Sequence, residues 1–307
     1  MSYRLSSKNP IDVRSIDSET QQPKIKVFFV VEGAETEHIY LNSFITKFEE
    51  NAVGDFIILD RLDRSKSHQE AVTKQIESFI SSCNELNTQQ IALLQEAHNS
   101  LKSPELNETN LNVILKTLKD SDLPEKVLKL IFLEIPNTTF LHLYILESII
   151  TFQNYEPDFD KVCILIDRDK QSFKDNQYDN VVTICSENNF LLGISNPCFE
   201  LFLFLHFSDL LNHDHNKINE NKKISRSKNS PKYMEKVLKD FVQTNLQISY
   251  NKSTYDADRF VSSFRNIPEN ITKSKVTTNI NQLKDSIGTS VYDVLSPLVL
   301  SLGNHNN

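Results

Sequence analysis

Residues 24–31 (KIKVFFVV) form a run of β-branched and aromatic side chains with no polar alternation, the pattern of a strand buried on both faces, and the run ends at Glu32-Gly33. The apolar spacing then changes to a helical period. Ile39, Tyr40 and Phe44 share one face of a helix predicted to start near Thr36. Residues 56–59 predict a second strand, and Ala71, Ile76, Phe79 and Ile80 predict a second helix. The alternation resumes at 161–166 (KVCILI), a third strand leading into Asp167-Arg168-Asp169. A helix over about 175–188 and a fourth strand over 190–194 follow. In the next segment, SNPCFELFLFLHF (195–207), Asn196 is placed to cap a helix and Pro197 to fill its first position, where a missing N–H is tolerated. Short apolar strands alternating with helices predict parallel βαβ crossovers and an α/β layered domain.

Two regions break this rhythm. Residues 81–155 contain no glycine and show helical spacing at Leu111, Ile114, Leu115 and Leu118, and again at Leu141, Tyr144, Ile145 and Ile149. A structureless loop of that length is improbable in a compact domain, so the pattern predicts an insertion of three or four helices between the two halves of the α/β domain, 24–80 and 156–215. Residues 216–307 predict a mainly helical C-terminal region. Its window 217–239 holds eight Lys or Arg against Glu220 and Glu235. Residues 1–23 are polar and aperiodic and predict a loose tail.

Composition narrows the class without changing this outline. The 307 residues are 39% hydrophobic and 24% charged, which excludes wholesale disorder. No stretch reaches the roughly 18 apolar residues that cross a bilayer, and the first residues lack the apolar core of a secretory signal. A soluble, cytoplasmic protein with no membrane partner is expected. Four cysteines without a C-x-x-C pair predict reduced thiols, neither a disulfide framework nor a zinc site. The net charge of -8 argues against salt-driven binding of nucleic acid over the whole surface, yet it leaves room for a carboxylate cluster that holds a dication and, through it, phosphate.

The candidate chemistry lies at the strand ends. In an open parallel sheet, ligands bind outside the carboxyl ends of the strands, so Glu32 and Asp167-x-Asp169 are placed to converge. A spacing of two in extended backbone also puts Asp167 and Asp169 on one side. Three such carboxylates make a hard-oxygen site for Mg²⁺ or Mn²⁺, suited to phosphodiester chemistry. Acids at strand ends also serve as turn and cap residues, and it is the combination of the two segments that favours the metal reading.

The segments VVEGAETEHIYLNSF (30–44), ILIDRD (164–169) and above all SNPCFELFLFLHF (195–207) resemble the signature segments of RloB-like proteins, a TOPRIM-domain family of prokaryotic anti-phage defence. The resemblance spans roughly 24–80 and 156–215. It implies a Rossmann-like TOPRIM sheet flanked by helices, with Glu32 as the residue that ligates metal or shuttles protons and Asp167 and Asp169 as metal ligands. Glu37 and Glu200 match further family acids, Glu37 as a metal ligand and Glu200 as a catalytic residue. It also implies a nuclease acting on DNA or RNA, including tRNA, with an ATPase partner. A homo-oligomer is compatible with it.

Each residue has a plainer reading beside the functional one. Gly33 either lets a ligand approach the strand exit or supplies a positive φ. Glu37 and Glu200 lie in first helical turns, where acids favour the helix dipole, although the apolar neighbours of Glu200 make it the more unusual acid. His206 reads as a hydrogen-bonded core residue, and His213-Asp214-His215 as a solvated loop. The basic window, with Lys222, Lys223, Arg226, Lys228 and Lys232, is the best candidate for gripping a nucleic-acid backbone. Two other activities fit less well. Strand rejoining needs a tyrosine nucleophile, and Tyr40, Tyr233 and Tyr255 stand in no such context. E-G-A-E lacks the glycine pattern of a dinucleotide site. A non-catalytic subunit whose acidic helical insertion docks an ATPase is the remaining alternative.

Overall fold

The computed structural model describes residues 25–33, 35–48, 50, 52–59, 69–132, 139–152 and 155–299. The predicted N-terminal tail lies outside them. The chain divides into two compact units. Among the described residues, the first holds 25–59, 69–70 and 159–299, and the second holds 71–158.

The first unit is built on a five-stranded sheet. In chain order its elements begin with β1 (Ile25–Val31), α1 (Thr36–Phe48), β2 (Gly54–Leu59) and the start of α2 (Gln69–Asn84), and resume at β3 (Lys161–Asp167), α7 (Asp175–Glu187) and β4 (Leu191–Asn196). The intervening helices α3 (Thr88–Leu101), α4 (Glu108–Lys119), α5 (Glu125–Ile131) and α6 (Thr139–Phe152) belong to the second unit. The strand order is β2-β1-β3-β4-β7, with β7 (Gly288–Thr289) antiparallel to β4 and all other pairs parallel. This is a mixed α/β, Rossmann-like arrangement. The connection from β1 leads outward to β2, whereas β3 leads the other way to β4, so the topological switch point falls between β1 and β3.

Both faces of the sheet are buried, as the lack of polar alternation predicts: Val27, Phe29 and Val31 on one side, Phe28 and Val30 on the other. Against the first face lies α8 (Phe199–Phe204), in which every residue is buried. Tyr40 of α1 meets Phe199 and Phe202 edge-on, with ring centroids 5.6 and 5.3 Å apart. Each such ring contributes roughly 1.5–3 kcal/mol by leaving water.

The segment at Asn196 departs from the expected cap. Asn196 is the last residue of β4, the Asn196–Pro197 peptide is cis, and the helix starts after Cys198. The Asn196 amide donates instead to the carbonyls of Leu283 and Ser286, tying the strand end to the C-terminal region. The buried Asn196 side chain thus serves a tertiary contact and not a local cap, satisfying the carbonyl of buried Leu283 and that of Ser286.

The C-terminal region is mainly helical, with α9 (His215–Glu220), α10 (Tyr233–Phe241), a two-stranded hairpin of β5 (Tyr250–Asn251) and β6 (Thr254–Tyr255), α11 (Ala257–Ser262), α12 (Ile267–Ser274), α13 (Ile280–Leu283) and, after β7, α14 (Val291–Leu295). It is part of the first unit and supplies one strand of its sheet.

The second unit is helical. Asn87 caps α3 by accepting from the N–H groups of Gln89 and Gln90, and the Gln90 side-chain oxygen accepts from the Asn87 N–H. Its interior includes Leu94, Leu118, Val127, Ile145, Ile149 and Phe152, with the rings of Phe79 and Phe152 edge to face at 5.2 Å. Among the described residues four helices follow α2, where the spacing predicts three or four. The side chains of Leu141 and Tyr144 lie outside the described set.

Candidate functional site

Parallel pairing puts the carboxyl ends of β1 and β3 side by side. Val31 is level with Leu165, and the ladder runs one step further through the Glu32 N–H to the Leu165 carbonyl, 3.1 Å. Glu32 therefore leaves the sheet beside Asp167. Its carboxylate accepts from the Asp167 N–H at 3.1 Å and from the Gln69 amide at 2.9 Å, which fixes its direction. Gln69, the first residue of α2, carried no motif in the sequence.

Glu37 folds back from the first turn of α1 over Gly33. A methyl group on Gly33 would overlap the Glu37 carboxylate, and Gly33 has no positive φ, so a side chain there would displace that carboxylate and would not strain the backbone. Glu37 is buried, and that burial, reinforced by the negative charges of Glu200 and Glu32, pushes its carboxyl up to about 7. Burial likewise raises Asp167 well above the usual carboxylate range, followed by the charges of Glu32, Glu37 and Glu200. Four acids from β1, α1, β3 and α8 thus repel one another at the switch point.

Glu200 is 2% exposed, and burial alone would raise it. The ammonium of Lys252, 2.5 Å from its Oε1, outweighs burial and holds it low. The Tyr250 hydroxyl donates to the same oxygen at 3.4 Å. Lys252 sits at the tip of the β5–β6 hairpin, where Asn251 pairs with Thr254. Sequence reasoning missed it. The signal available was Y-N-K-S-T-Y, two tyrosines flanking a polar turn, which marks a hairpin without saying where it docks.

Asp169 departs from expectation. The strand ends at Asp167, and Asp169 lies in a turn in which its carboxylate accepts from the Gln171 N–H. Burial raises its carboxyl, but the Lys232 ammonium 2.8 Å from its Oδ2 brings it below the ordinary value. The alternation that would put Asp167 and Asp169 side by side does not extend past the strand. Among the described residues no group of three or more His, Cys, Asp or Glu side chains is arranged to hold a metal ion, so the expected three-carboxylate cluster of Glu32, Asp167 and Asp169 is not formed as such. Glu32, Glu37 and Asp167 carry the hard carboxylate oxygens that a Mg²⁺ or Mn²⁺ ion takes, but they are not arranged as a ligating set here.

The basic window divides in two. Lys232 is bound to Asp169, while Lys222, Lys223, Arg226 and Lys228 are exposed on the connection between α9 and α10. Backbone bonds from Ile224 to Pro231 and from Tyr233 to Lys222 close that connection into a hairpin-like loop. Its foot, Lys232, stands at the acid cluster.

His206 is fully buried. Its Nε2 pairs with the Tyr40 hydroxyl at 2.8 Å and its Nδ1 with the Phe202 carbonyl at 2.9 Å, and burial lowers its pKa to about 3. It is a neutral core residue, and its bond to Tyr40 also accounts for that tyrosine. Asp214 caps α9 through the N–H groups of Asn216 and Lys217, so its HDH tract is helix-start chemistry. No helix among the described residues is long and apolar enough to cross a membrane.

Neither the curated proteins nor the solved structures compared with this chain include a match. The model of the RloB-like protein family matches residues 27–298, which takes in both halves of the sheet, the helical unit between them and the basic loop. The chain belongs to the RloB-like family.

Proposed function

We propose that this protein is a metal-dependent TOPRIM nuclease that cuts phosphodiester bonds of DNA or RNA, tRNA included, in prokaryotic anti-phage defence, together with an ATPase partner. One observation carries the reading: Glu32, Glu37, Asp167 and Glu200 come together at the strand ends, and burial, reinforced by the charges of the neighbouring acids, pushes Glu37 and Asp167 upward. Like charge is kept together at such a cost where a cation or a proton is to be handled.

A bound Mg²⁺ or Mn²⁺ would neutralise the phosphate and lower the pKa of an attacking water. The chain's own groups do the rest. Gln69 and the Asp167 N–H hold Glu32 in one direction. Glu37, buried over Gly33, would supply a further carboxylate oxygen beside Glu32 and Asp167. Lys222, Lys223, Arg226 and Lys228 on the exposed loop would grip the nucleic-acid backbone, and Lys232 at its foot would place it over the acids.

The test is incubation of the purified protein with DNA, RNA and tRNA in Mg²⁺ or Mn²⁺, with and without a co-purifying ATPase. Cleavage should fall by about 10³-fold or more in Asp167→Ala, and undiminished cleavage would remove the assignment. A second reading, a conditionally active subunit docked through the helical segment, is favoured by that segment forming a compact unit of its own. Deleting 81–155 while partner binding persists would exclude it.

A further inference from the structure

Between Asn221 and Met234 the chain carries five cations, Lys222, Lys223, Arg226, Lys228 and Lys232, and no acid, in a protein whose net charge is -8. This stretch is a built finger. Lys223 and Lys232 face each other across an antiparallel bridge, flanked by bonds from the Ile224 N–H to the Pro231 carbonyl and from the Tyr233 N–H to the Lys222 carbonyl, both 3.0 Å. The tip closes on itself: the Ser225 N–H donates to the Ser230 hydroxyl at 2.9 Å, the Ser230 N–H to the Ser227 carbonyl at 3.1 Å and the Lys223 ammonium to the Lys228 carbonyl at 2.8 Å. The foot is anchored on both sides, since the buried Asn221 accepts from the Met234 N–H at 2.9 Å and Lys232 is paired with Asp169 at 2.8 Å. Like charges opposite one another weaken a bridge, so the finger keeps its cations against its own stability. Lys222 is answered by Glu220 at 3.1 Å and Lys232 by Asp169, whereas Arg226 and Lys228, exposed at the tip, have no acidic partner among the described residues.

We propose that this finger recognises double-stranded DNA, entering the major groove and binding phosphates on both of its sides through Arg226 and Lys228. The inference rests on the nucleic-acid reading above and deepens it by naming the form of the substrate. Width is the first argument. A two-stranded ribbon fits the major groove of B-DNA, which is about 12 Å wide. Reach is the second: the six residues from Lys232 back to Arg226 span at most about 20 Å of extended backbone, enough to cross that groove from a strand held at the foot. The third is side-chain chemistry. Residues 222–232 include no aromatic side chain, so the stacking platform that single strands need is missing from the finger. The deep, narrow major groove of an RNA helix does not admit side chains, whereas Ile224, an apolar residue 46% exposed among the cations, suits the thymine methyl groups that line the groove of DNA. A finger already closed by its own hydrogen bonds also loses little freedom on binding.

Two measurements on the full chain test this. Binding is followed by fluorescence anisotropy at low salt and without divalent ions, so that nothing is cut, on a DNA duplex of about 20 base pairs, one of its single strands and an RNA duplex of the same sequence. The DNA duplex should bind about tenfold more tightly than either other probe. Replacing both tip cations, Arg226→Gln with Lys228→Gln, should weaken duplex binding about tenfold, remove most of that preference and lower the slope of log affinity against log salt by about 2. Arg226→Lys with Lys228→Arg keeps both charges and should stay within about threefold of the unmodified protein. Independently, acetylation of individual lysines in the unmodified protein is read by peptide mass spectrometry. Labelling of Lys228 should fall about threefold or more when the duplex is added, and that of Lys273, paired with Glu269 at 2.6 Å, should not change. If the charge-removing pair fails to fold, the labelling decides. Undiminished duplex binding in that folded pair, labelling of Lys228 indifferent to bound duplex, or no binding of any probe overturns the finger and leaves the nuclease reading to its cleavage assay. Equal or tighter binding of the single strand or the RNA duplex overturns the assignment to duplex DNA and leaves a nuclease of another substrate. Binding as expected, with no cleavage of any substrate in Mg²⁺ or Mn²⁺, overturns the nuclease reading and leaves the finger standing.

Discussion

Asp167 and Arg168 are neighbours in the chain, and their surroundings are opposites. Asp167 faces the crevice, where the charges of Glu32, Glu37 and Glu200 oppose its own. Arg168 is 1% exposed on the other side of the strand end, and every group around it is complementary. Its Nη2 donates to Asp175 at 2.6 Å, its Nε to the Lys284 carbonyl at 3.1 Å and its Nη1 to the Phe173 carbonyl. The rings of Phe173 and Tyr178 lie 5.5 and 5.2 Å from the guanidinium. A buried charge with all its partners is architecture: it locks the turn that follows β3. A carboxylate set among its own kind is unstable where it stands, and that instability points to a ligand or a proton that is not part of the fold.

The comparison can be broken in order of size. Arg168→Ala removes a buried cation and leaves Asp175 and two carbonyls without it, so unfolding in urea should show a loss of about 3–5 kcal/mol. An effect under about 1 kcal/mol would mean that the pocket is not structural. The next test uses His206, a second satisfied core group. Its folded pKa of about 3 lies below the ordinary histidine value of 6.5, so the unfolded chain binds the proton more readily. The stability that this histidine contributes is full above pH 6.5 and is lost as pH falls toward 3. Between pH 7 and pH 5 the unmodified protein should lose about 2 kcal/mol more than His206→Gln, measured as the difference of two urea titrations. Equal losses would place His206 in solvent. The smallest effect has the opposite sign. Asp167→Asn removes a carboxyl whose ionised form is disfavoured by burial and by the neighbouring acids, and should raise stability at pH 7 by about 1 kcal/mol while abolishing the proposed cleavage. A clear destabilisation would show that Asp167 is held by favourable contacts, as Arg168 is.

The fold was legible where hydrophobic period alone decides it. The strands at 24–31 and 161–166 are apolar on both faces, and only a sheet covered on both sides accepts that pattern, so β1 and β3 were found to within a residue. The helical unit was legible for the same reason, since glycine-free apolar spacing at three and four leaves few alternatives. The site was legible in part. Glu32 and Asp167 could be named because strand ends in a parallel sheet share one edge, whatever the order of the strands. Asp169 was misplaced because the period of two holds only while the strand lasts, and no residue in D-R-D announces that the strand stops at its first aspartate. Asn196 was misread because a cap is a local bargain, while two carbonyls from the far end of the chain offered more.

What the residues determined by themselves is the list of acids, the family that their flanking segments resemble, and the alternation that builds the sheet, because each of these follows from side-chain chemistry repeated at short range. What only the folded chain decided is which acids oppose one another and which are answered. Lys252 and Lys232 lie 52 and 63 residues from the carboxylates that they neutralise. Long-range charge pairing leaves no periodic trace in a sequence, since a lysine in a turn reads the same whether it points to water or to a buried glutamate.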